Sequence, residues 1–289
     1  MIIEYFSEIY PEKLREIKKP PSRLYVKGNV ELLKEFSISV VGSRTNTQYG
    51  EKMCKLFVKN LVNYNVNIVS GLALGIDSIA HKTCLEYGGK TIAVLPCGLE
   101  NIYPKQNIVL SEQIVKNGGL LISEYENNIK ADSNKFRQRN RIVAGIGMGT
   151  LVVEAGERSG TSITAKDTIL QGKPVFAIPS NLDNKKGKTT NRLIQNGSHL
   201  VTSVEDILEY YPNINFLKSE NSKIKNNLDI PNEFVNLYNS LENGPLDINE
   251  ICIKTGLDTK EVLYQTMMLE IEDKVLELPN QKFIRKENL

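Results

Sequence analysis

The sequence predicts an α/β protein with a doubly wound, mostly parallel sheet and a small C-terminal winged-helix domain. Two observations support this. Between residues 38 and 201, short apolar segments rich in β-branched residues alternate with segments of helical periodicity, which is typical of buried parallel strands joined by helices. After residue 230 the pattern changes to three helices followed by two short strands, as in a winged helix-turn-helix.

The elements follow in order along the chain. Residues 1–37 are turn-rich and predict an extension that packs on the main domain, with a short strand or helix at most. The main domain is expected at 38–211. Its seven predicted strands lie at 38–41, 67–69, 91–95, 120–123, 150–154, 174–178 and 199–201, and its helices at about 47–64, 75–87, 107–117, 139–147, 161–171, 189–196 and 203–211.

The C-terminal part is predicted to be separate. Residues 212–230 are rich in Asn, Lys and Ser and lack periodicity, which is typical of a linker. Helices are then expected at 231–241, 247–255 and 258–271, and strands at 275–278 and 282–284. Asp247 and Asp258 are the expected caps of the second and third helices.

Composition narrows the class of protein. The chain has 289 residues, of which 40% are hydrophobic and 24% charged, as in an ordinary globular protein. No run approaches the roughly 18 apolar residues of a membrane helix, and no signal peptide is recognised at Met1, so we expect a cytoplasmic protein. The four cysteines are scattered, so we expect neither disulfides nor a metal site, and the chain predicts no cofactor.

Charge is distributed unevenly. Residues 231–289 hold 6 Lys and Arg against 11 Asp and Glu, a net charge of −5. Because the whole chain carries +2, residues 1–230 carry +7. We therefore expect a local basic face on the main domain.

Two turns that follow predicted strands offer sites for an anion. In the first, Gly42 permits close approach of a ligand, Ser43 offers a hydroxyl and Arg44 adds charge at a helix N-terminus. The second turn opens with Ser70 and Gly71 and contains two glycines before a helix. The alternative is that the glycines serve only turning and helix packing.

A third turn follows the fifth predicted strand. Ser159 and Gly160 precede a helix there, and Lys166 adds charge on that helix. A simple N-cap role explains Ser159 and Thr161 nearly as well. In an open parallel sheet the three turns lie at one edge, where ligands bind.

The stretch from Phe136 to Arg141 combines an aromatic ring with charge. Phe136 is a candidate for stacking on unpaired bases, Arg137 and Arg139 are candidates for phosphate contacts, and Asn140 adds a polar group. Arg141 lies among apolar residues and is expected to be partly structural. Since alternate arginines cannot share one helical face, we expect a loop entering a helix to spread them around a phosphate backbone. The alternative is a solvated loop with Phe136 in the core.

Catalytic residues are not recognisable. The chain has two histidines, and neither has a nucleophile or metal ligand at a suitable spacing. Asp77 and His81 could pair on one helix turn, with His81 more often structural than catalytic in such a setting. Three anion-accepting turns and one aromatic therefore favour single-stranded nucleic acid over a single nucleotide.

A series of motifs occurs in a characteristic order: VVGSR (40–44), SGLALGID (70–77), Ala80-His81, TIAVL (91–95), Tyr103-Pro104, RNRIVAG (139–145), VVEA (152–155) and SGTSITA (159–165). Over about residues 10–210 these closely resemble the bacterial DNA-processing protein A (DprA, or Smf) family. The resemblance implies an extended Rossmann-like fold, a homodimer, and a non-enzymatic protein that binds incoming single-stranded DNA in natural transformation and loads the RecA recombinase. It also implies DNA contacts at Arg44, Ser70-Gly71 and Phe136.

Several residues depart from that family pattern. Arg137 stands where a proline is frequent and Leu74 where an arginine is common, and 37 residues leave no room for a leading helical domain. The acidic tail and its nearly uncharged third helix favour a protein contact over DNA docking. The glycine-rich turns also resemble nucleotide phosphoribohydrolases of the lysine-decarboxylase-like family, but Thr164 stands where those enzymes place a catalytic glutamate.

Overall fold

The structure is a computed structural model that describes residues 1–156, 159–216, 230–272 and 274–286. The chain divides into two compact units, Met1–Ser219 and Glu220–Leu289. Most of the predicted linker at 212–230 lies outside the described residues. No helix in the described ranges combines the length and the apolar character needed to cross a membrane.

The large unit contains nine strands and eight α-helices within its described residues. The strands are Ile2–Glu4 (β1), Arg23–Gly28 (β2), Ser37–Val41 (β3), Asn67–Ser70 (β4), Thr91–Leu95 (β5), Leu120–Ser123 (β6), Thr150–Val152 (β7), Val175–Ala177 (β8) and His199–Leu200 (β9). The helices are Glu12–Arg15 (α1), Gln48–Asn63 (α2), Ile76–Glu86 (α3), Ile108–Lys116 (α4), Ser133–Ile146 (α5), Thr161–Leu170 (α6), Lys188–Gln195 (α7) and Glu205–Leu208 (α8).

These strands form one sheet with the order β1-β2-β6-β5-β4-β3-β7-β8-β9. From β6 to β9 all neighbours are parallel, which confirms the predicted doubly wound α/β class. The strand order reverses between β3 and β7, which come from opposite halves of the fold. The carboxyl ends of these two strands are therefore the expected place for a ligand.

The N-terminal segment contributes more than the sequence suggested. Instead of a short strand at most, it supplies both β1 and β2, and β2 pairs antiparallel with β6 through Tyr25 opposite Ser123. Pro20 and Pro21 lie just before β2, and the turn-rich composition around them gave no clear strand pattern. The segment thus extends the sheet at one edge.

Apolar clusters cover both faces of the sheet. Val69 of β4 belongs to the cluster that includes Ile142 and Val143 of α5, whereas its neighbour Ile68 packs with Phe57 of α2. Successive side chains of a strand point to opposite faces of the sheet. Because helices cover both faces here, both residues are apolar. This explains why the strands were recognisable as continuous apolar runs.

The C-terminal unit has its own core. Its elements are Val235–Ser240 (α9), Leu246–Asp247 (β10), Ile248–Thr255 (α10), Thr259–Ile271 (α11), Val275–Leu278 (β11) and Lys282–Arg285 (β12), with sheet order β10-β12-β11. Asp247 and Asp258 accept hydrogen bonds from the third residues of α10 and α11, as predicted. Strand β10 was missed because it has only two residues. The assignment as a winged helix stays a prediction.

Candidate nucleic-acid interface

A cavity of about 780 Å³ lies at the carboxyl ends of β3 and β7. It is called the groove below. Segments from four strand ends and from helix α5 meet there, although they are distant in the sequence. Its lining residues are Val41, Gly42, Ser43, Arg44, Thr45, Gly71, Ala73, Asp77, Ser133, Phe136, Arg137, Arg139, Asn140, Val143, Gly156, Ser159, Gly160, Thr161, Ser162, Ile163, Thr164 and Lys186.

The two most prominent sequence candidates are in contact. The guanidinium carbon of Arg44 lies 4.6 Å from the centroid of the Phe136 ring, within the range of a cation–π interaction. Arg44 is exposed and Phe136 is half-buried, so Phe136 is not part of the apolar core, in contrast to the alternative considered from the sequence. A ring and a charge side by side can hold a base and a phosphate of the same chain.

The turn that carries Arg44 is fixed by Glu154, which follows β7 and is only 1% exposed. The Ser43 amide donates to the Glu154 carbonyl oxygen at 2.7 Å. The amide and hydroxyl of Thr47 donate to the Glu154 carboxylate at 2.8 and 2.6 Å, and Thr47 in turn caps α2. The backbone carbonyl and the buried carboxylate of Glu154 together hold the first turn.

The second turn supports the first one. Gly75 has φ 77°, and a Cβ atom on it would lie 2.3 Å from the Ser43 carbonyl oxygen. The amide of Ile76 donates to that oxygen at 3.1 Å, so it is not available to an anion. Gly75 therefore serves close packing, which was the alternative to an anion site. Gly71, in contrast, lines the groove.

Ser70 is located differently from the prediction. Its side chain is fully buried, and its hydroxyl donates to the Val40 carbonyl oxygen at 2.6 Å. It joins β3 to β4 and does not line the groove. The hydroxyl is therefore not available for a direct contact with DNA.

Helix α5 begins at Ser133, six residues before the predicted start at residue 139. Asp132 is the N-cap, and its carboxylate accepts from the Lys135 amide at 2.9 Å. The arginines predicted to spread from a loop are consequently all helical. Residues two positions apart in a helix lie on nearly opposite faces. Arg137 is therefore exposed, whereas Arg139 is buried.

Arg139 forms part of the floor of the groove and not an open phosphate site. It is 3% exposed, and its Nη1 donates to the carbonyl oxygens of Gly71, directly after β4, and of Val94, near the end of β5. Burial lowers its pKa to about 10, so the guanidinium stays charged at neutral pH. Arg141 forms an ion pair with Glu124 at 2.5 Å, consistent with the structural role expected for it.

Asp77 and His81 do not form the pair that their spacing suggested. The Asp77 carboxylate accepts from the Ala73 amide at 3.4 Å, and His81 Nδ1 lies 2.7 Å from the Thr91 hydroxyl. Burial, and secondarily the positive charge of Arg139, lowers the pKa of His81 to about 3. His81 is therefore neutral at physiological pH and belongs to the support of the floor.

The third turn connects the helices around the groove. The Thr161 hydroxyl donates to the Gly42 carbonyl oxygen at 3.0 Å, and the Asn140 amide donates to the Gly160 carbonyl oxygen at 3.3 Å. The Ser159 hydroxyl accepts from the Thr161 amide at 3.2 Å, but the N-cap of α6 is Gly160, so neither Ser159 nor Thr161 is the cap that the alternative proposed. Lys166 is exposed on α6 but does not line the groove. Glu157 and Arg158 lie outside the described residues.

Sequence reasoning missed Lys186. It lies in the segment after β8, lines the groove, and donates from its ammonium group to the Thr45 carbonyl oxygen. The available signal was the cluster of lysines at 185, 186 and 188, in the segment that follows a buried strand. Among the described lining residues four are cationic and Asp77 alone is acidic, so the groove attracts a polyanion.

Comparison with known proteins agrees with this geometry. Residues 1–212 match the family model described as DNA recombination-mediator protein A. The protein Smf of Escherichia coli is 35% identical over 277 residues, which cover 94% of this chain and 74% of that protein. The DNA processing protein DprA of Streptococcus pneumoniae is 43% identical over 201 residues, covering 70% and 71%.

Two solved structures are also similar. The X-ray structure of DprA from Streptococcus pneumoniae superimposes with a TM-score of 0.69 at 40% identity, covering 72% of this chain and 73% of that one. A structure of DNA processing protein A from Helicobacter pylori, described in terms of its single-stranded DNA binding mode, gives a TM-score of 0.66 at 29% identity and covers 73% and 94%.

Proposed function

Because the chain belongs to the DNA recombination-mediator protein A family, we propose that it binds single-stranded DNA in the groove. The contact between Arg44 and Phe136 carries this proposal, since it joins a stacking surface to a charge at the topological switch point. The Helicobacter pylori relative is described as binding single-stranded DNA, which supports the same ligand here.

Different groove residues are proposed to contact the bases and the phosphates. Phe136 stacks on a base, and Arg44, Arg137 and Lys186 neutralise phosphates. Gly160 and Asn140 form the wall opposite the Arg44 turn, where the N-terminus of α6 favours an anion. The groove has a volume of about 780 Å³ and is open to solvent, which suits a chain that passes through it.

We propose further that the protein acts in the cytoplasm as a homodimer that protects incoming DNA during natural transformation and loads the RecA recombinase onto it. The family description as a recombination mediator and the name DNA processing protein in the relatives support this role. The acidic C-terminal unit is proposed to contact protein, since α11 exposes Leu263, Tyr264, Met267 and Ile271.

The proposed activity is binding without catalysis. Thr164 occupies the place where the related phosphoribohydrolases carry a glutamate, and it is buried in the groove wall. Asp77 is the one carboxylate among the described groove residues, and it accepts a hydrogen bond from the Ala73 amide. Incubation with AMP should therefore release no adenine, and release at a steady rate would favour the hydrolase instead.

The proposed function is tested by titrating a labelled oligothymidine with the protein and following a mobility shift. Phe136→Ala should weaken binding by about fivefold to 150-fold, since stacking contributes about 1–3 kcal/mol per base. Arg44→Ala should also weaken it and make the affinity less dependent on salt. Phe6→Ala and Arg23→Ala are matched controls, because both side chains are exposed outside the groove. Parental affinity in both groove variants would contradict the proposal.

A further inference from the structure

A second cavity, of about 610 Å³, shares no lining residue with the groove. Two aromatic rings in contact link the two cavities. Tyr103 lines the second cavity and Phe136 lines the groove, and their ring centroids are 5.7 Å apart in an edge-to-face arrangement. A chain that lies on Phe136 therefore meets Tyr103 next.

The second cavity has the chemistry of a nucleotide site. Tyr103 is 48% exposed, so part of its ring is open to a base. Lys105 and Lys130 are exposed and line the cavity, and neither forms an ion pair in the part of the chain that the structure describes. Of the two glutamates in the lining, Glu100 accepts a hydrogen bond from Asn127 at 2.8 Å.

The segment that carries Tyr103 is anchored by the buried side chain of Asn107. The side-chain amide of Asn107 is buried and donates to the Leu72 carbonyl oxygen and to the Ser78 hydroxyl, both at 2.8 Å. These bonds attach the segment after β5 to the turn after β4, which also borders the groove. Asn107 thus fixes the segment four residues after Tyr103, and the Tyr103 ring itself packs against Phe136, which lowers the ordering cost of binding there.

We propose that the second cavity binds a further nucleotide of the single strand held in the groove. The base stacks on Tyr103, and Lys105 and Lys130 neutralise the neighbouring phosphates. This inference rests on the proposed function and extends it, because it gives the strand a direction across the surface, from the Arg44 turn past Phe136 to helix α4. Stacking tolerates any base, so the subsite adds affinity without sequence preference.

A role of Tyr103 as a mere support for Phe136 makes a different prediction. A support affects every oligonucleotide that contacts Phe136, whatever its length. A subsite affects only those long enough to reach it. Oligonucleotide length therefore separates the two roles.

The experiment measures the affinity of an oligothymidine series from about 4 to about 16 nucleotides, the usual range of site sizes for single-strand-binding modules. Tyr103→Ala should weaken the longest oligonucleotides by about fivefold to 150-fold and leave the shortest within twofold of the parent. Tyr103→Phe keeps the ring and should bind like the parent at every length. An equal loss at all lengths, or no loss at any, would overturn the subsite.

A second measurement does not depend on the contact between Tyr103 and Phe136. The Lys105→Ala and Lys130→Ala double variant should reduce the salt slope for long oligonucleotides by about 1.4, since each neutralised phosphate contributes about 0.7 for single strands. An unchanged slope would also overturn the subsite. If Arg44→Ala and Phe136→Ala weaken binding while Tyr103→Ala does not, the subsite fails and the proposed function stands. If none of them weakens binding, both fail.

Discussion

The rim and the floor of the groove use the same residue types for different purposes. The rim consists of Arg44, Phe136, Arg137 and Lys186, whereas Arg139 and Asp77 form the floor. Arg137 and Arg139 are two residues apart on one helix, yet the first is exposed and the second donates to strand-end carbonyls. Residue type alone therefore does not distinguish a contact with DNA from a contact with the protein itself.

The difference follows from where the hydrogen bonds of each arginine go. Arg139 donates from Nε and Nη1 to groups inside the protein, and its charge is partly compensated by Asp77. Within the described residues neither Arg44 nor Arg137 forms an ion pair. Floor residues should consequently determine stability, and rim residues should determine affinity.

The largest expected effect is the loss of stability when a floor residue is substituted. Arg139→Leu leaves two strand-end carbonyls without a donor and Asp77 without its nearby positive charge, so it should destabilise the large unit by about 3–5 kcal/mol. Urea unfolding followed by circular dichroism measures this. Arg137→Leu is the matched control and should change stability by less than about 0.5 kcal/mol. Equal destabilisation by both variants would refute the distinction between floor and rim.

The next effect is the pH dependence of the floor. The pKa of His81 is about 3 in the folded chain and about 6.5 in the unfolded one. The unfolded state therefore binds the proton more readily below pH 6.5, and the stability contributed by neutral His81 is lost as the pH falls from 6.5 toward 3.

Between pH 7 and pH 5 the parent should lose about 2 kcal/mol more unfolding free energy than His81→Gln. Burial raises the pKa of Asp77, so that group changes stability in the opposite direction in both proteins and cancels in the comparison. The measurement is urea unfolding at the two pH values. The same loss in parent and variant would show that His81 is not the sensitive group.

A smaller effect concerns the rim. Lys186→Ala should lower DNA affinity and reduce the slope of log affinity against log salt by about 0.7, because one phosphate contact is lost. Lys166→Ala is the charge-matched control, since Lys166 is exposed but lies outside the groove lining. Fluorescence anisotropy over a salt series measures both slopes. If the salt slope changed more in the Lys166 variant than in the Lys186 variant, Lys166 and not Lys186 would be the residue that contacts DNA.

The smallest effect is expected outside both regions. Deletion of residues 231–289 removes a net charge of −5 and leaves every described groove residue in place. DNA affinity should change by less than about threefold, since none of the described groove residues belongs to the C-terminal unit. A loss of tenfold or more in the same anisotropy assay would assign DNA contacts to the C-terminal unit.

Sequence reasoning succeeded where a local pattern determines the structure. Apolar strands covered on both faces were identified from composition, and Asp247 and Asp258 were recognised as caps. It also selected Arg44 and Phe136, which the fold brings into contact. The start of α5 was missed because Asp132 lies in a polar stretch without helical periodicity.

Other features depend on long-range packing and have no local signal. The burial of Arg139 arises from the ends of β4 and β5, more than 40 residues away in sequence. Lys186 reaches the groove only because β8 lies beside β7. Tyr103 was noted as part of a motif, but its place beside Phe136 required the three-dimensional structure.

The buried carboxylate of Glu154 has a consequence for genetics. A random mutagenesis screen for loss of DNA binding should recover Glu154 alongside Arg44, because substitutions at Glu154 release the turn on which Arg44 lies. Its phenotype would imitate that of a contact residue although the side chain is only 1% exposed. Suppressor substitutions are then expected near Thr47 and not in the DNA-facing residues, and their positions would identify Glu154 as a support.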